Sequence, residues 1–368
     1  MTAAPHRLPA ASPTAFDLAL PDLALERGGI VRRHRVRAWW WGPAGDSHDR
    51  PDPAAPTVLL VHALTGGARA GGQDGWWEPL IGPGRALDPA QVRIVCFNNL
   101  GSFYGTSAPG LPGFPVGKNI TLTPVDIARS ILLALDALGI ERVHLAAGGS
   151  LGGMVVLTLA ALAPGCIQRI LPVATCAASS AWVVGWNHIA REAIRLDPGY
   201  PHDVSRGLEL ARQLAMLTYR AEPGLELTQH RGLSALRGFK GYRVQGYLEH
   251  HGRKLHSRFT ARCYELMLDA MDHHDLSRSL PGDTAPAIAR IRAPALVLAV
   301  DTDQLFPPAQ AEELARRLRA HGAPVERATL RSPHGHDAFL LEWEQLAPLV
   351  TRALNLPLHA HESKMAGL

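Results

Sequence analysis

The sequence is poor in several features that would assign a protein to a class at once. It has only four cysteines in 368 residues and no CxxC pair, so neither a disulfide framework nor a zinc-binding pattern is indicated. No run of lysine or arginine is longer than two residues and the net charge is only +4, which argues against a surface that binds nucleic acid. The first residues also lack the basic-then-apolar pattern of a secretory signal. We therefore expect a cytoplasmic protein with reduced cysteines and no nucleic-acid partner.

One long uncharged run offers an alternative class. Residues 143–167 contain no Asp, Glu, Lys or Arg, and a run of that length could cross a bilayer. It also contains four glycines around Ser150 and is broken by Pro164. A buried strand followed by a buried helix has the same hydropathy. We prefer that interpretation and expect no membrane partner.

Strand and helix patterns alternate along most of the chain. Buried-strand patterns cover residues 57–61, 93–97, 143–147, 169–174, 295–300 and 325–330, and helical patterns cover 123–138, 154–163, 308–321 and 338–354. Their order predicts an α/β fold with a mostly parallel, doubly wound sheet.

Strand character is lost in the second half of the chain and later returns. Helical patterns prevail from about residue 181, which is typical of a helical lid inserted into a sheet domain. We expect a core over residues 21–180 and 285–356 and a helical lid insertion over 181–284. A loose N-terminal segment over 1–20 and a disordered tail over 357–368 complete the predicted organisation.

A serine stands between glycines at the junction of a predicted strand and a predicted helix. The segment Gly148-Gly149-Ser150-Leu151-Gly152 fits a nucleophile elbow, a turn so sharp that only small residues can flank the serine. Such a turn exposes the serine hydroxyl and points the next backbone N–H, that of Leu151, at a developing oxyanion. Taken alone, the segment is explained as well by a small serine that eases a tight turn.

A serine nucleophile needs a base and an acid, and candidates for both follow late strands. Asp301 and Asp303 come after the predicted strand 295–300, and His334 and His336 come after 325–330. The carboxyl ends of parallel strands share one edge of the sheet, and the order Ser, acid, His suits this kind of fold. A helix cap would explain an aspartate alone and a metal site the histidine pair alone, but three suitable positions together favour a catalytic triad. Spacing does not choose within either pair, and no further ligand cluster suggests a metal.

A second oxyanion donor is expected in the loop after the strand 57–61. That loop reads His62-Ala63-Leu64-Thr65-Gly66-Gly67, and its glycines allow the backbone to approach a ligand closely. Loss of one such donor typically costs about 3–4 kcal/mol of transition-state stabilisation.

Longer motifs point to a known family. They are His62-Ala63-Leu64-Thr65-Gly66, Gly75-Trp76-Trp77, Gly82-Pro83-Gly84, Asn99-Leu100-Gly101, Gly149-Ser150-Leu151-Gly152-Gly153-Met154, Leu217-Thr218-Tyr219-Arg220, Ala270-Met271-Asp272, Asp303-Gln304-Leu305-Phe306-Pro307 and Gly335-His336-Asp337-Ala338-Phe339-Leu340. These blocks run in order from about residue 57 to 345. Together they closely resemble the homoserine O-acyltransferase family of the α/β-hydrolase fold.

The resemblance implies a role for each matching residue. The catalytic triad would be Ser150, Asp303 and His336, with the oxyanion held by the N–H groups of Leu64 and Leu151. Arg220 would bind the carboxylate of homoserine and Asp337 its amino group, while Thr65 would line the acyl pocket. An arginine can fork a carboxylate and an aspartate can pair with an ammonium. A salt bridge within the lid is the alternative for Arg220.

The resemblance also implies the reaction. It would be ping-pong transfer of an acetyl group from acetyl-CoA to the hydroxyl of L-homoserine, in methionine biosynthesis, by a homodimer formed through the lid. Acyl-CoA would be a co-substrate, with no permanently bound cofactor. The chain departs from the usual family motifs at Ser102-Phe103, Val155 and Thr260, so succinyl-CoA as donor and L-serine as acceptor stay open. A lidded carboxylesterase is the alternative class, although it would not need Arg220 and Asp337 beside the triad.

Overall fold

The computed structural model describes residues 13–42, 55–117, 120–233 and 241–358. In chain order the strands are β1 (Thr14–Ala19), β2 (Leu23–Ala24), β3 (Ile30–Val31), β4 (Arg35–Trp41), β5 (Thr57–Val61), β6 (Arg93–Phe97), β7 (Leu145–Gly149), β8 (Ile170–Val173), β9 (Ala295–Val300) and β10 (Val325–Leu330). The helices are α1 (Pro124–Ala137), α2 (Leu151–Leu162), α3 (Ala181–Arg195), α4 (Ser205–Tyr219), α5 (Glu222–Gln229), α6 (Arg243–His256), α7 (Ala261–Asp272), α8 (Pro308–Ala320) and α9 (Trp343–Leu354). Short 3₁₀ helices cover Glu78–Leu80, Ala287–Arg290 and Gly335–Leu340.

Eight of the strands form one sheet in the order β1-β4-β6-β5-β7-β8-β9-β10. The six strands from β6 to β10 in this order are parallel. At the other edge, β4 pairs antiparallel with β6, and β1 antiparallel with β4. The predicted α/β fold with a mostly parallel sheet is confirmed.

Helices cover both faces of this sheet. Side chains alternate along β5, so Leu59 and Val61 join a core that includes residues of α1 and α2. Val58 and Leu60 join a second core that includes residues of α9. Because both faces are covered, the central strands are buried along their whole length, which accounts for their uninterrupted apolar sequences.

The uncharged run over residues 143–167 divides at Ser150. Its first part forms β7, which begins two residues later than predicted and continues to Gly149, and its second part forms α2. The run is therefore not one continuous helix. Within the described ranges, no helix combines the length and the apolar character needed to span a membrane.

Two predictions about the ends of the chain are corrected. Residues 14–19 are not a loose segment, because they pair with β4 as the edge strand β1; residues 1–12 lie outside the described part. The predicted helix 338–354 is two elements, the 3₁₀ helix Gly335–Leu340 and α9. Of the predicted tail, residues 359–368 are outside the described part as well.

The segment predicted to form a lid contains the helices α3 to α7 and is called the lid below. Helix α4 packs between α3 and α6 and also contacts the 3₁₀ helix Gly335–Leu340. The last turn of α4 therefore lies against the loop that follows β10. This contact brings lid residues to the carboxyl edge of the sheet.

Candidate active site

Ser150 occupies a strained turn between β7 and α2. Its backbone has φ 57° and ψ −125°, a left-handed conformation that costs of the order of 1–3 kcal/mol and is found mainly at functional sites. A Cβ atom at Gly152 would lie 2.2 Å from the Val61 carbonyl oxygen, and one at Gly148 would lie 2.8 Å from the same atom. The flanking glycines are therefore required by the close approach of β5. This is the geometry of a nucleophile elbow.

His336 and Asp303 form a buried pair at the same sheet edge. His336 Nδ1 lies 2.7 Å from Asp303 Oδ2, and both side chains are almost completely buried. The other oxygen, Asp303 Oδ1, accepts hydrogen bonds from the backbone N–H groups of Leu305 at 2.8 Å and Phe306 at 2.9 Å. These bonds fix the carboxylate, which in turn orients the imidazole and leaves its Nε2 for a second partner.

One aromatic side chain joins this pair to the elbow. The Phe339 ring lies 5.5 Å from the His336 ring, centroid to centroid. A Cβ atom at Gly149 would lie 2.5 Å from the edge of the Phe339 ring. The ring therefore packs against the residue before Ser150 on one side and against the imidazole on the other.

The neighbouring candidates, Asp301 and His334, have different partners. Asp301 Oδ1 accepts from the backbone N–H of Ser332 at 2.9 Å, and the backbone N–H of His334 donates to the Ser332 hydroxyl at 3.1 Å. These contacts stabilise the loop after β10. Of the two aspartates and two histidines left open by spacing, the structure brings together Asp303 and His336.

The surroundings of His336 act on its pKa in opposite directions. Burial alone would lower the pKa, but the charge of Asp303 and its hydrogen bond, with a further contribution from Asp337, raise it above the ordinary value. The carboxylates therefore stabilise the imidazolium that forms when the ring accepts a proton.

Two backbone N–H groups are available as oxyanion donors. Those of Leu64 and Leu151 donate to no protein acceptor among the described residues, although both residues are buried. The Leu64 loop is held by His62, whose Nδ1 lies 2.8 Å from the Ala63 carbonyl oxygen and whose Nε2 accepts from the Asn99 N–H at 2.9 Å. Burial lowers the pKa of His62 to about 4, so the ring is neutral and can serve as donor and acceptor at once.

Arg220 and Asp337 face each other beside the His336–Asp303 pair. Arg220 follows α4, and its Nε lies 3.3 Å from Asp337 Oδ2 in a largely buried ion pair. Gly335 has φ 69°, and a Cβ atom there would lie 2.6 Å from the Ala221 backbone nitrogen. Only glycine permits this close packing of the lid on the histidine loop. The two residues expected to hold opposite ends of an amino acid are thus adjacent and paired with each other.

Other lid side chains at the site had no predicted role: Tyr219 lies in a quoted motif without one, and Arg212 and Tyr247 lie outside the quoted motifs. The Tyr219 ring lies 5.6 Å from the His336 ring, and the Arg212 guanidinium lies 5.4 Å above the Tyr219 ring. The Tyr247 hydroxyl is buried close to Arg220 and Asp337. Burial raises its pKa, and the neighbouring Arg220 guanidinium opposes that shift. The seven-residue spacing from 212 to 219, two helical turns, is the only feature that could have linked two of them.

The structure shows the surroundings of residues at which the chain departs from the family motifs. Phe103 is partly exposed and its ring lies 6.2 Å from that of Phe259, while Ser102 is buried with an unpartnered hydroxyl. Thr260 caps α7, because its hydroxyl accepts from the Cys263 N–H at 3.2 Å. Thr65, expected in the acyl pocket, is buried.

Fold and site together define an enzyme of the α/β-hydrolase class. The sequence matches the α/β-hydrolase fold family over residues 56–342. A crystal structure of esterase E22 superposes with a TM-score of 0.81 at 18% identity, covering 93% of this chain and 100% of that one. At that identity the likeness shows the fold alone.

Sequence relatives narrow the class to one family. The chain is 38% identical to the homoserine O-acetyltransferase of Salinibacter ruber over 91% of its own length and 96% of the relative's. It is also 38% identical to that of Moorella thermoacetica, over 80% and 84%. The solved homoserine O-acetyltransferase of Staphylococcus aureus has a TM-score of 0.77 at 27% identity, over 96% of this chain and 98% of that one. The chain belongs to the homoserine O-acetyltransferase family, which confirms the resemblance predicted from its motifs.

Proposed function

We propose that this protein transfers an acetyl group from acetyl-CoA to the hydroxyl of L-homoserine through an acetyl-Ser150 intermediate. Family membership supports the reaction class. The observation that carries the proposal is the Arg220–Asp337 ion pair, which sets a cation and an anion for a zwitterionic acceptor next to the His336–Asp303 pair.

In the first half-reaction Ser150 is acylated. His336 Nε2 takes the proton of the Ser150 hydroxyl as the oxygen attacks the thioester carbonyl carbon, and Asp303 stabilises the imidazolium. The N–H groups of Leu64 and Leu151 donate to the resulting oxyanion. The carbon–sulfur bond then breaks, the proton passes from His336 to sulfur, and free CoA departs.

In the second half-reaction the acceptor takes the acyl group. His336 removes the proton of the homoserine hydroxyl, whose oxygen attacks the acetyl-Ser150 carbonyl carbon. Collapse of the tetrahedral species breaks the ester bond, and His336 returns the proton to Ser150. Arg220 binds the α-carboxylate and Asp337 the α-ammonium. The Arg220–Asp337 ion pair is thereby replaced by two ion pairs with the acceptor. Orientation of this acceptor by the lid favours transfer over hydrolysis.

The decisive experiment measures CoA release from acetyl-CoA and from succinyl-CoA, each with L-homoserine and with L-serine. We expect rapid release over many turnovers only with acetyl-CoA and L-homoserine; acetyl-CoA alone should release a single equivalent of CoA. Intact-mass analysis after acetyl-CoA alone should show one acetyl adduct on wild type and none on Ser150→Ala. Continuous release without an acceptor would support the carboxylesterase. Fast release with succinyl-CoA would identify it as the donor, and fast release with L-serine would identify it as the acceptor.

The lid surface supports a homodimer. Apolar side chains more than one-third exposed lie on or near α3, α4 and α5: Trp182, Ile189, Leu196, Leu210, Leu217, Leu227 and Leu233. Contiguous exposed apolar patches mark interaction sites, so we propose that these side chains form the contact between two copies of the chain. Ile189→Lys should dissociate the dimer in sedimentation experiments, whereas Val116→Lys, at an exposed position outside the lid, should not.

The proposed setting is cytoplasmic methionine biosynthesis. All four cysteines are unpaired, as is usual in a reducing compartment. Within the described ranges, no group of three His, Cys, Asp or Glu side chains is arranged to hold a metal ion. The proposed mechanism uses acyl-CoA as co-substrate and assigns no step to a resident cofactor.

A further inference from the structure

The loop that carries the Leu64 N–H is held at three carbonyl groups by three side chains. His62 Nδ1 contacts the Ala63 carbonyl oxygen at 2.8 Å, and Trp76 Nε1 donates to the Gly67 carbonyl at 3.0 Å. Between them, Arg258 Nη1 donates to the Thr65 carbonyl at 2.8 Å. His62 and Trp76 belong to the sheet domain, whereas Arg258 belongs to the lid, between α6 and α7.

We propose that Arg258 is a positioning residue through which the lid sets the oxyanion hole. Its guanidinium holds the peptide group that follows Thr65, and this peptide belongs to the same short turn as the Leu64 N–H. The turn is closed by a bond from the Gly66 N–H to the Ala63 carbonyl at 3.1 Å. Movement of the Thr65 carbonyl would therefore move the donor as well.

Arg258 has a second partner that strengthens this connection. The same nitrogen donates to the Tyr104 hydroxyl, and a Cβ atom at Gly67 would lie 3.2 Å from the Tyr104 ring. Tyr104 has φ 73°, a strained conformation that its surroundings must maintain. Its ring also lies 6.1 Å from that of Phe259, the lid residue next to Arg258. The end of the Leu64 loop is thus held by Tyr104, which Arg258 and Phe259 contact in turn.

The effect on rate follows from the geometry that an oxyanion donor requires. The donor stabilises the tetrahedral species more than the planar thioester, so misplacing it slows acylation without weakening ground-state binding. A displacement of about 1 Å can cost on the order of a hundredfold in rate. The described hydrogen bonds of Arg258 go to Thr65 and Tyr104 and not to Ser150. The proposal therefore has Arg258 act only through the Leu64 loop.

The test compares Arg258→Met with Arg262→Met. Arg262 is also a lid arginine that donates to a backbone carbonyl of the sheet domain, that of Ile120 at 3.1 Å, but it does not touch the oxyanion loop. Acylation is followed as the burst of nitrophenol from p-nitrophenyl acetate and as CoA release in a single turnover. Binding of acetyl-CoA is measured separately in the Ser150→Ala background, and thermal unfolding is recorded for every variant.

We expect Arg258→Met to slow acylation by about ten- to a hundredfold. Its acetyl-CoA affinity should change by less than about threefold, and Arg258→Lys, which restores one donor to the Thr65 carbonyl, should recover part of the rate. Arg262→Met should retain wild-type acylation. Equal loss in the two methionine variants, no loss in Arg258→Met, or a loss confined to acetyl-CoA binding would overturn the proposal.

The inference rests on the proposed function only through the oxyanion role of Leu64. The burst with p-nitrophenyl acetate requires Ser150 acylation but neither CoA nor homoserine. If wild type shows a burst yet transfers nothing to L-homoserine, the proposed function fails and the role of Arg258 is still measurable.

Discussion

The sheet core and the lid hold their polar groups at the active site in different ways. In the core, Ser150 is set by a strained turn and Asp303 by two backbone N–H donors. On the lid side, Arg220 is held by an ion pair with Asp337, and the buried Tyr247 hydroxyl lies close enough to interact with both residues. The core thus fixes the elbow serine and the candidate acid through its own backbone, whereas the lid side presents the proposed acceptor-binding groups, which pair with each other.

The largest effect should come from the core. Asp303→Asn should lower the acylation rate on the order of 10⁴-fold, because an asparagine favours the wrong tautomer of the histidine. Asp301→Asn, which removes a carboxylate bound only to the loop backbone in the described structure, should change the rate by less than about tenfold. Stopped-flow measurement of CoA release compares the two. A greater loss in Asp301→Asn would show that Asp303 is not the catalytic acid.

The next largest effect should come from the lid, and it should be confined to the second half-reaction. Arg220→Ala should slow discharge of acetyl-Ser150 to homoserine by about 30- to 4000-fold, since truncating one member of a desolvated charge pair costs about 2–5 kcal/mol. Acylation should stay near the wild-type rate. Single-turnover decay of the acetyl-enzyme against homoserine concentration measures this. Arg253→Ala, at an exposed lid ion pair, is the control; equal damage to both half-reactions would contradict the division of roles.

A smaller effect is expected at Tyr247. Its hydroxyl is near Arg220 and Asp337, so Tyr247→Phe should raise the KM for homoserine by about two- to tenfold, the worth of one hydrogen bond at about 0.5–1.5 kcal/mol. Maximal velocity at saturating homoserine should be unaffected. Steady-state kinetics at fixed acetyl-CoA provide the measurement, with the exposed Tyr242→Phe as control. An unchanged KM would place Tyr247 outside the acceptor site.

The smallest expected effect is a displacement of the pH profile. The Asp337 charge contributes to the raised pKa of His336, and in the proposed mechanism the unprotonated ring acts as the base. Asp337→Asn should therefore lower that pKa and move the acidic limb of the acylation profile toward lower pH. Acylation is the appropriate half-reaction because it does not involve the acceptor. In Asp301→Asn the acidic limb should keep its wild-type position. A shift of this limb toward higher pH in Asp337→Asn would contradict the prediction.

Local patterns in the sequence were sufficient for much of the core. The predicted bounds of β5, β6, β9 and β10 agree with the structure, and the predicted helix over 123–138 is α1, which Thr123 caps and Pro124 begins. These features depend on neighbouring residues: apolar runs, a capping side chain and a proline. The elbow at Ser150 was predictable for the same reason, since the turn and its small flanking residues are consecutive in the chain.

Pairings between distant segments were decided by the tertiary structure. Strand β1 is defined by its register with β4, and no local pattern marked residues 14–19 as part of a sheet. The Arg220–Asp337 pair and the bond from Arg258 to Thr65 join positions 117 and 193 residues apart. They exist because the lid packs on the carboxyl edge of the sheet, and that packing depends on the shapes of both surfaces together. The sequence by itself determined most of the core elements, the elbow and the family, while the docking of lid on core determined which charged groups meet.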